Sequence, residues 1–319
     1  MQETIDLHKY GSFVDNFSMV KKQGRVSRLT GLIVEGNGPA VSLGALCTIY
    51  SRQKRKTVEA EVGGFRDNKI LLMALGDMAG IEPGSLIVAK EESPSFNVTD
   101  HLLGRVLDGN GRPIDGGGPI PLGKDYPVQG NPINPLERSR IKEALDVGIG
   151  AINGLLTVGK GQRVGIMAGT GVGKSVLLGM IARNTSADVN VIALIGERGR
   201  EVREFIEENL GPEGLKRSVV VAVASDQPPL VRLRGAFLAT TIAEYFRDRG
   251  QDVMLMMDSI TRFALAQREI GLSIGEPPTT RGYTPSVFSL LPRLLERAGT
   301  GAGAGSITAC TRCWWKATT

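Results

Sequence analysis

The residues best placed to do chemistry lie in Ala168-Gly-Thr-Gly-Val-Gly-Lys-Ser175. Glycines at alternate positions free the backbone, so successive N–H groups can turn into one concavity. The segment follows the apolar run Gly161 to Met167 and opens a helical one at Ser175-Val-Leu-Leu178, which aims the helix dipole at the same anion, a phosphate. In that setting Gly169, Thr170, Gly171, Val172, Gly173, Lys174, Ser175 and Val176 form a phosphate-binding loop. Lys174 would reach the β- and γ-phosphates, and the Ser175 hydroxyl would take Mg²⁺. Ala168 stands where the strict pattern has glycine, and a glycine-rich turn that happens to contain Gly-Lys-Ser is the plainer alternative.

A phosphate loop of this kind calls for an acid at the end of a neighbouring strand, and Met254-Leu-Met-Met-Asp258 supplies it. Asp258 would hold Mg²⁺ directly or through water. Taken alone, it reads equally as a cap on the following helix, Ser259-Ile-Thr-Arg-Phe263. A third group, Gly196-Glu-Arg-Gly-Arg-Glu201, follows the run Val189 to Ile195. In-line hydrolysis needs a group that orients water behind the γ-phosphate, and Glu197 sits where that group belongs, with Arg198 beside it. The alternative is an exposed turn laced by Glu–Arg pairs.

These residues need a sheet whose strand ends collect at one edge. From about Ile141 onward, near-continuous apolar runs (Gly161–Met167, Val189–Ile195, Ser218–Ala224, Asp252–Met257) alternate with helical stretches at Lys174–Arg183, Glu201–Leu210, Val231–Arg249 and Arg262–Ile270. That alternation predicts a parallel sheet covered on both faces. Before it, short runs at Arg25–Val34, Gly44–Tyr50, Thr57–Val62, Lys69–Met73 and Ser85–Ala89, broken by Gly and Pro turns, predict a small closed β-domain. The stretch Ser93 to Pro135 reads as a linker dense in glycine and proline.

Composition narrows the class. The 319 residues carry 38 Lys and Arg against 33 Asp and Glu, and 41% are hydrophobic, which excludes a disordered chain. No apolar run approaches the roughly 18 residues that a membrane span needs. Three cysteines and two histidines give neither a disulfide framework nor a His-rich metal site. The acidic start of the chain lacks the features of a signal peptide, and a reducing cytoplasm is the expected setting. The net charge of +5 reads as a solvated face, and only weakly as a sign of an acidic partner surface.

The motifs stand within longer stretches that resemble the flagellar and type III secretion export ATPases, relatives of the catalytic subunit of rotary ATP synthases. The matching segments are Leu103–Pro113, Gly154–Arg163, the phosphate loop, Gly196–Glu201, Ser225-Asp-Gln-Pro-Pro-Leu-Val-Arg-Leu-Arg234, Asp258–Gln267 and Gly275–Phe288. Of these, Ser-Asp-Gln-Pro-Pro-Leu-Val-Arg favours the export branch. The resemblance runs from about Arg25 to Ala309. It implies an α/β chain: a small N-terminal β-barrel over residues 1–95, then an incomplete P-loop NTPase domain of RecA type with a mainly parallel sheet over residues 96–309. It further implies ATP and Mg²⁺ as ligands, Lys174, Glu197, Arg198, Asp258 and Arg262 as catalytic residues, and Ser175 with Asp258 at the metal. A homo-hexamer at the cytoplasmic face of the bacterial inner membrane is implied too, with stalk, stator and gate proteins, export substrates and chaperones as partners, peripheral membrane association, and no nucleic acid. The family's helical domain and the arginine lent by an adjacent subunit lie beyond the matching stretch. Gly150 and Asn153 depart from the pattern away from the phosphates.

After Ala309 the likeness stops, and Cys310-Thr-Arg-Cys-Trp-Trp-Lys-Ala-Thr-Thr319 is expected to be an anomalous tail, the product of a shifted reading frame. Its Cys-x-x-Cys is half of a zinc site at most. Two other functions compete with the export motor: a nucleotide-binding assembly fragment without efficient turnover, and an ATP synthase-like or RNA-translocating ring. The N-terminal region lacks the aromatic and basic stretch that RNA would require.

Overall fold

A computed structural model describes residues 21–52, 56–90, 95–130, 133–169 and 171–314. The chain divides into two compact units, one up to Glu92 and one from Ser93. In the first, strands β1 (Gln23–Thr30), β2 (Ile33–Asn37), β3 (Leu46–Tyr50), β4 (Thr57–Arg66), β5 (Lys69–Ala74) and β6 (Leu86–Ala89) form a closed barrel in the order β1-β2-β5-β4-β3-β6. Alternate side chains along β3 and β4 turn inward, and Val34, Cys47, Ile49, Ala60, Leu72 and Ile87 fill the interior. The single run expected over Arg25–Val34 is two strands. They fold back at Gly31-Leu32, where Gly31 takes φ +57° and Thr30 pairs with Ile33.

In the second unit, β7 (Ser95–Val98) pairs antiparallel with β9 (Lys124–Pro127), while between them in sequence β8 (Val106–Leu107) joins the main sheet. The stretch expected as a linker therefore supplies an edge strand and a small ribbon, because long-range partners satisfy backbone groups that its glycine-rich composition leaves open. A short pair, β10 (Ala144–Leu145) and β11 (Val158–Gly159), precedes the main strands β12 (Arg163–Ala168), β13 (Val189–Glu197), β14 (Ser218–Ala224) and β15 (Asp252–Asp258). Then come β16 (Gly299–Thr300) and β17 (Ser306–Trp314). The main strands run parallel in the order β12-β17-β15-β13-β14-β8, with β16 antiparallel on β17.

Every residue of β13 is buried, as a sheet covered on both faces requires. On one face Ile192, Leu194, Val220, Met254 and Met256 pack with Leu178 and Ile181 of the helix Lys174–Asn184. Across β13, β14 and β15 lies the helix Pro229–Asp248, buried along almost its whole length. The helix expected over Glu201–Leu210 is split: α-helical over Gly199–Glu204, π-helical over Phe205–Leu210, and α-helical again over Gly211–Lys216.

Within the stretch expected as an anomalous tail, β17 runs unbroken to Trp314. Cys310 pairs with Val164 on one side and Met256 on the other, and Arg312 pairs with Ile166. Residues three apart on a strand face opposite sides, so Cys310 and Cys313 cannot share a metal. Cys310 lies in the core, where burial pushes its thiol up to about 12. Residues 315–319 lie outside the described residues.

One buried ion pair ties the segment before the sheet to the helices beside it. The Arg297 guanidinium grips the Glu244 carboxylate with Nε at 2.9 Å and Nη2 at 2.6 Å, and donates to the Val128 carbonyl at 2.8 Å and the Thr241 hydroxyl at 2.9 Å. Removing one partner leaves a buried charge without an answer. Arg297→Ala is expected to lower stability by about 3–5 kcal/mol in urea unfolding; a loss under about 1 kcal/mol would show that the pair carries little of the packing.

Candidate active site

The sheet order fixes the site. Strands β12, β17, β15 and β13 end side by side at one edge, and each delivers one group to it. After β12 the chain enters the glycine loop and then the helix Lys174–Asn184, capped by Gly173 in the left-handed region at φ +82°. No side chain caps this helix, so its first N–H groups remain for an anion. Gly171 is also left-handed at φ +77°, and a Cβ at Gly169, Gly171 or Gly173 would meet nothing within 4 Å, which leaves an open cradle. Lys174 is buried, and its ammonium donates to the Gly169 carbonyl; burial and the nearby Arg312 charge lower its pKa. Val172 and Val176 expose their side chains, so only their backbone can serve a phosphate. Thr170 lies outside the described residues.

Glu197 ends β13 on a backbone irregularity. The register against β14 slips between Ile195 and Glu197, and Gly196 between them takes φ +72°. A Cβ there would stand 3.1 Å from Arg262 Cβ, so the glycine also admits the Arg262 stem. Arg262 lies in the first turn of the helix Ile260–Ile274. Glu197 is 6% exposed, and its Oε1 has no hydrogen-bond partner in the protein. Burial, reinforced by the Asp258 charge, pushes its carboxyl up to about 7, against the pull of Arg312 and Arg262.

Asp258 ends β15 beside Leu194 of β13 and is 3% exposed. It does not cap the next helix, because the Ser259 hydroxyl takes that role by accepting from Arg262 N at 3.3 Å. Its Oδ2 accepts from Arg312 Nη1 at 2.6 Å, while Oδ1 is buried without a partner. Burial raises the Asp258 carboxyl, and the guanidinium opposes that rise. The same Arg312 Nη1 stands 3.4 Å from Ser175 Oγ. Arg198, by contrast, is exposed and pairs with Glu201 at 3.3 Å, as in the surface-turn alternative.

The structure thus brings Lys174, Ser175, Glu197, Asp258 and Arg262 to one edge and leaves Arg198 at the rim. It adds Arg312, Gly196 and Ser259, which sequence reasoning missed. Strand alternation through Arg312 was a usable signal; the slip at Gly196 depends on a partner strand and left none. Ser175 Oγ and the Asp258 carboxylate are hard oxygen donors suited to Mg²⁺, and the orphaned Asp258 Oδ1 fits a cation. Among the described residues no group of three or more His, Cys, Asp or Glu offers another metal site.

A strand, glycine loop and helix, with acids closing two neighbouring parallel strands, define a P-loop nucleotide-binding domain. The chain belongs to the ATP synthase alpha/beta family: residues 148–314 match the model of its nucleotide-binding domain and residues 26–90 that of its beta-barrel domain. It is 56% identical over 306 residues to the flagellum-specific ATP synthase of Bacillus subtilis, covering 94% of this chain and 69% of that protein. The assembled ATPase EscN of the enteropathogenic E. coli type III secretion system superposes with TM-score 0.86 at 43% identity, covering 93% of this chain and 71% of EscN. EscN in complex with its central stalk EscO gives TM-score 0.84 at 44% identity over 92% of this chain and 71% of that one. The chain thus spans about two thirds of the length of the relatives it matches.

Once unfolded, the Glu197 carboxyl returns to its ordinary range, so the native state holds an extra proton between that range and about 7. Stability therefore falls as pH rises across this window. Glu197→Gln cannot ionise, and its melting temperature is expected to fall less than the parent's between about pH 5 and about pH 8. Equal slopes would contradict the buried, proton-binding carboxyl.

Proposed function

We propose that this chain binds and hydrolyses ATP as the motor domain of a flagellar or type III protein-export machine. The supporting observation is the convergence of Lys174, Ser175, Glu197 and Asp258 at one sheet edge, in a chain whose relatives are named for flagellar ATP synthesis and type III secretion. The loop Gly169–Val176 cradles the phosphates with backbone N–H groups, and Lys174 swings from the Gly169 carbonyl to the β- and γ-oxygens. Glu197 polarises the attacking water; a carboxyl lifted to about 7 is matched to taking a proton near neutral pH. Arg262, packed against Gly196, would serve the γ-phosphate, and Arg198 could do so only by leaving Glu201. Ser175 and Asp258 would hold Mg²⁺ once Arg312 releases Asp258, and the ion when bound neutralises phosphate charge.

In this reading residues 1–95 are the barrel domain and the ATPase domain begins at 96. The working form is a homo-hexamer at the cytoplasmic face of the bacterial inner membrane, joined to a stalk such as EscO is for EscN and to stator and gate proteins. Export substrates and their chaperones are its cargo, its contact with the membrane is peripheral, and nucleic acid has no part. A nucleotide-binding assembly role without efficient turnover is the second reading, and one observation favours it: the Arg312 guanidinium already holds the acid that a metal would use.

Lys174→Ala is expected to abolish ATP binding in equilibrium titration; unchanged affinity would reject the loop assignment. Glu197→Gln is expected to keep ATP binding and to lower turnover by about 10²–10⁴-fold, and undiminished turnover would remove Glu197 from the reaction.

A further inference from the structure

Arg312 has no part in the hydrolysis chemistry above, yet its guanidinium pairs with one of the two acids buried at the sheet edge. Its strand lies between the phosphate-loop strand and the Asp258 strand, so its side chain is delivered between the two residues suited to a metal. Nη1 is 2.6 Å from Asp258 Oδ2 and 3.4 Å from Ser175 Oγ, and the side chain is 11% exposed. Its Nε has no hydrogen-bond partner in the protein, so the contact to Asp258 carries much of what holds the head in place. A guanidinium is charged at every accessible pH and offers only donors, so it cannot serve as a metal ligand. Mg²⁺ sheds water reluctantly and needs oxygen ligands at about 2.0–2.1 Å, so it and the guanidinium cannot share Asp258 Oδ2.

We propose that Arg312 is a built-in cation that occupies the Mg²⁺ position between Asp258 and Ser175, so that the chain takes up nucleotide without the metal and resists its entry. This rests on the nucleotide-site reading above. A tethered charge acts at high effective concentration, and the metal must break a buried ion pair to displace it. The loop cradle itself is open, so the phosphates can still reach Lys174 and the helix N-terminus.

The test measures binding of a fluorescent N-methylanthraniloyl ATP to the full chain in excess EDTA and in excess Mg²⁺, for the parent and for Arg312→Thr. The parent's affinity is expected to differ by less than about threefold between the two conditions. In Arg312→Thr, Mg²⁺ is expected to tighten binding by at least about tenfold. Mn²⁺ added with the nucleotide should also raise that variant's melting temperature above the value with nucleotide alone, and leave the parent's unmoved. A parent that already gains tenfold from Mg²⁺ overturns the proposal without reference to the variant, and so does binding with the same metal response in both proteins. Absence of nucleotide binding in every condition overturns the site reading, and the proposal with it.

Discussion

Two carboxylates, Glu197 and Asp258, are buried at the carboxyl edge of a parallel sheet, and water cannot answer their charge there. Each solves the problem differently. Glu197 keeps one oxygen without a partner and holds its proton to about neutral pH. Asp258 takes a guanidinium on one oxygen and leaves the other unsatisfied. Groups held this far from their ordinary behaviour are costly to fold, and such cost is common where a ligand completes the site. Lys174, folded onto a loop carbonyl and lowered by burial, fits the same description.

The rest of the fold holds these groups in place. The sheet order puts the four strand ends adjacent, so a reach of one side chain spans the site. A register slip at Gly196 turns Glu197, and a serine cap starts the helix that lays Arg262 against that glycine. Behind the sheet, the buried helix Pro229–Asp248 backs three of the strands and is pinned through Glu244 to Arg297. The sheet edge is therefore set by packed elements, while the glycine loop leaves room for a ligand.

Much of this arrangement was legible in the residues. Near-continuous apolar runs marked β13, β14 and β15 to within two residues, because strands buried on both faces leave no polar alternation. The glycine spacing at Gly169, Gly171 and Gly173 marked the turn between β12 and the helix Lys174–Asn184. Other features were not legible, for physical reasons. β8 is two residues long and is a strand only because β14 offers its edge. The hairpin at Gly31 hid inside one apolar run. Arg312 stands among residues of unusual composition, and only the continuation of strand alternation past Ala309 carries it to the site edge.

Hydrogen–deuterium exchange on the whole chain, with and without ATP, tests whether this one sheet edge binds the phosphates of a nucleotide. Protection is expected mainly in residues 169–176 and at the ends of β13, β15 and β17. Protection elsewhere, with those segments unchanged, would contradict it.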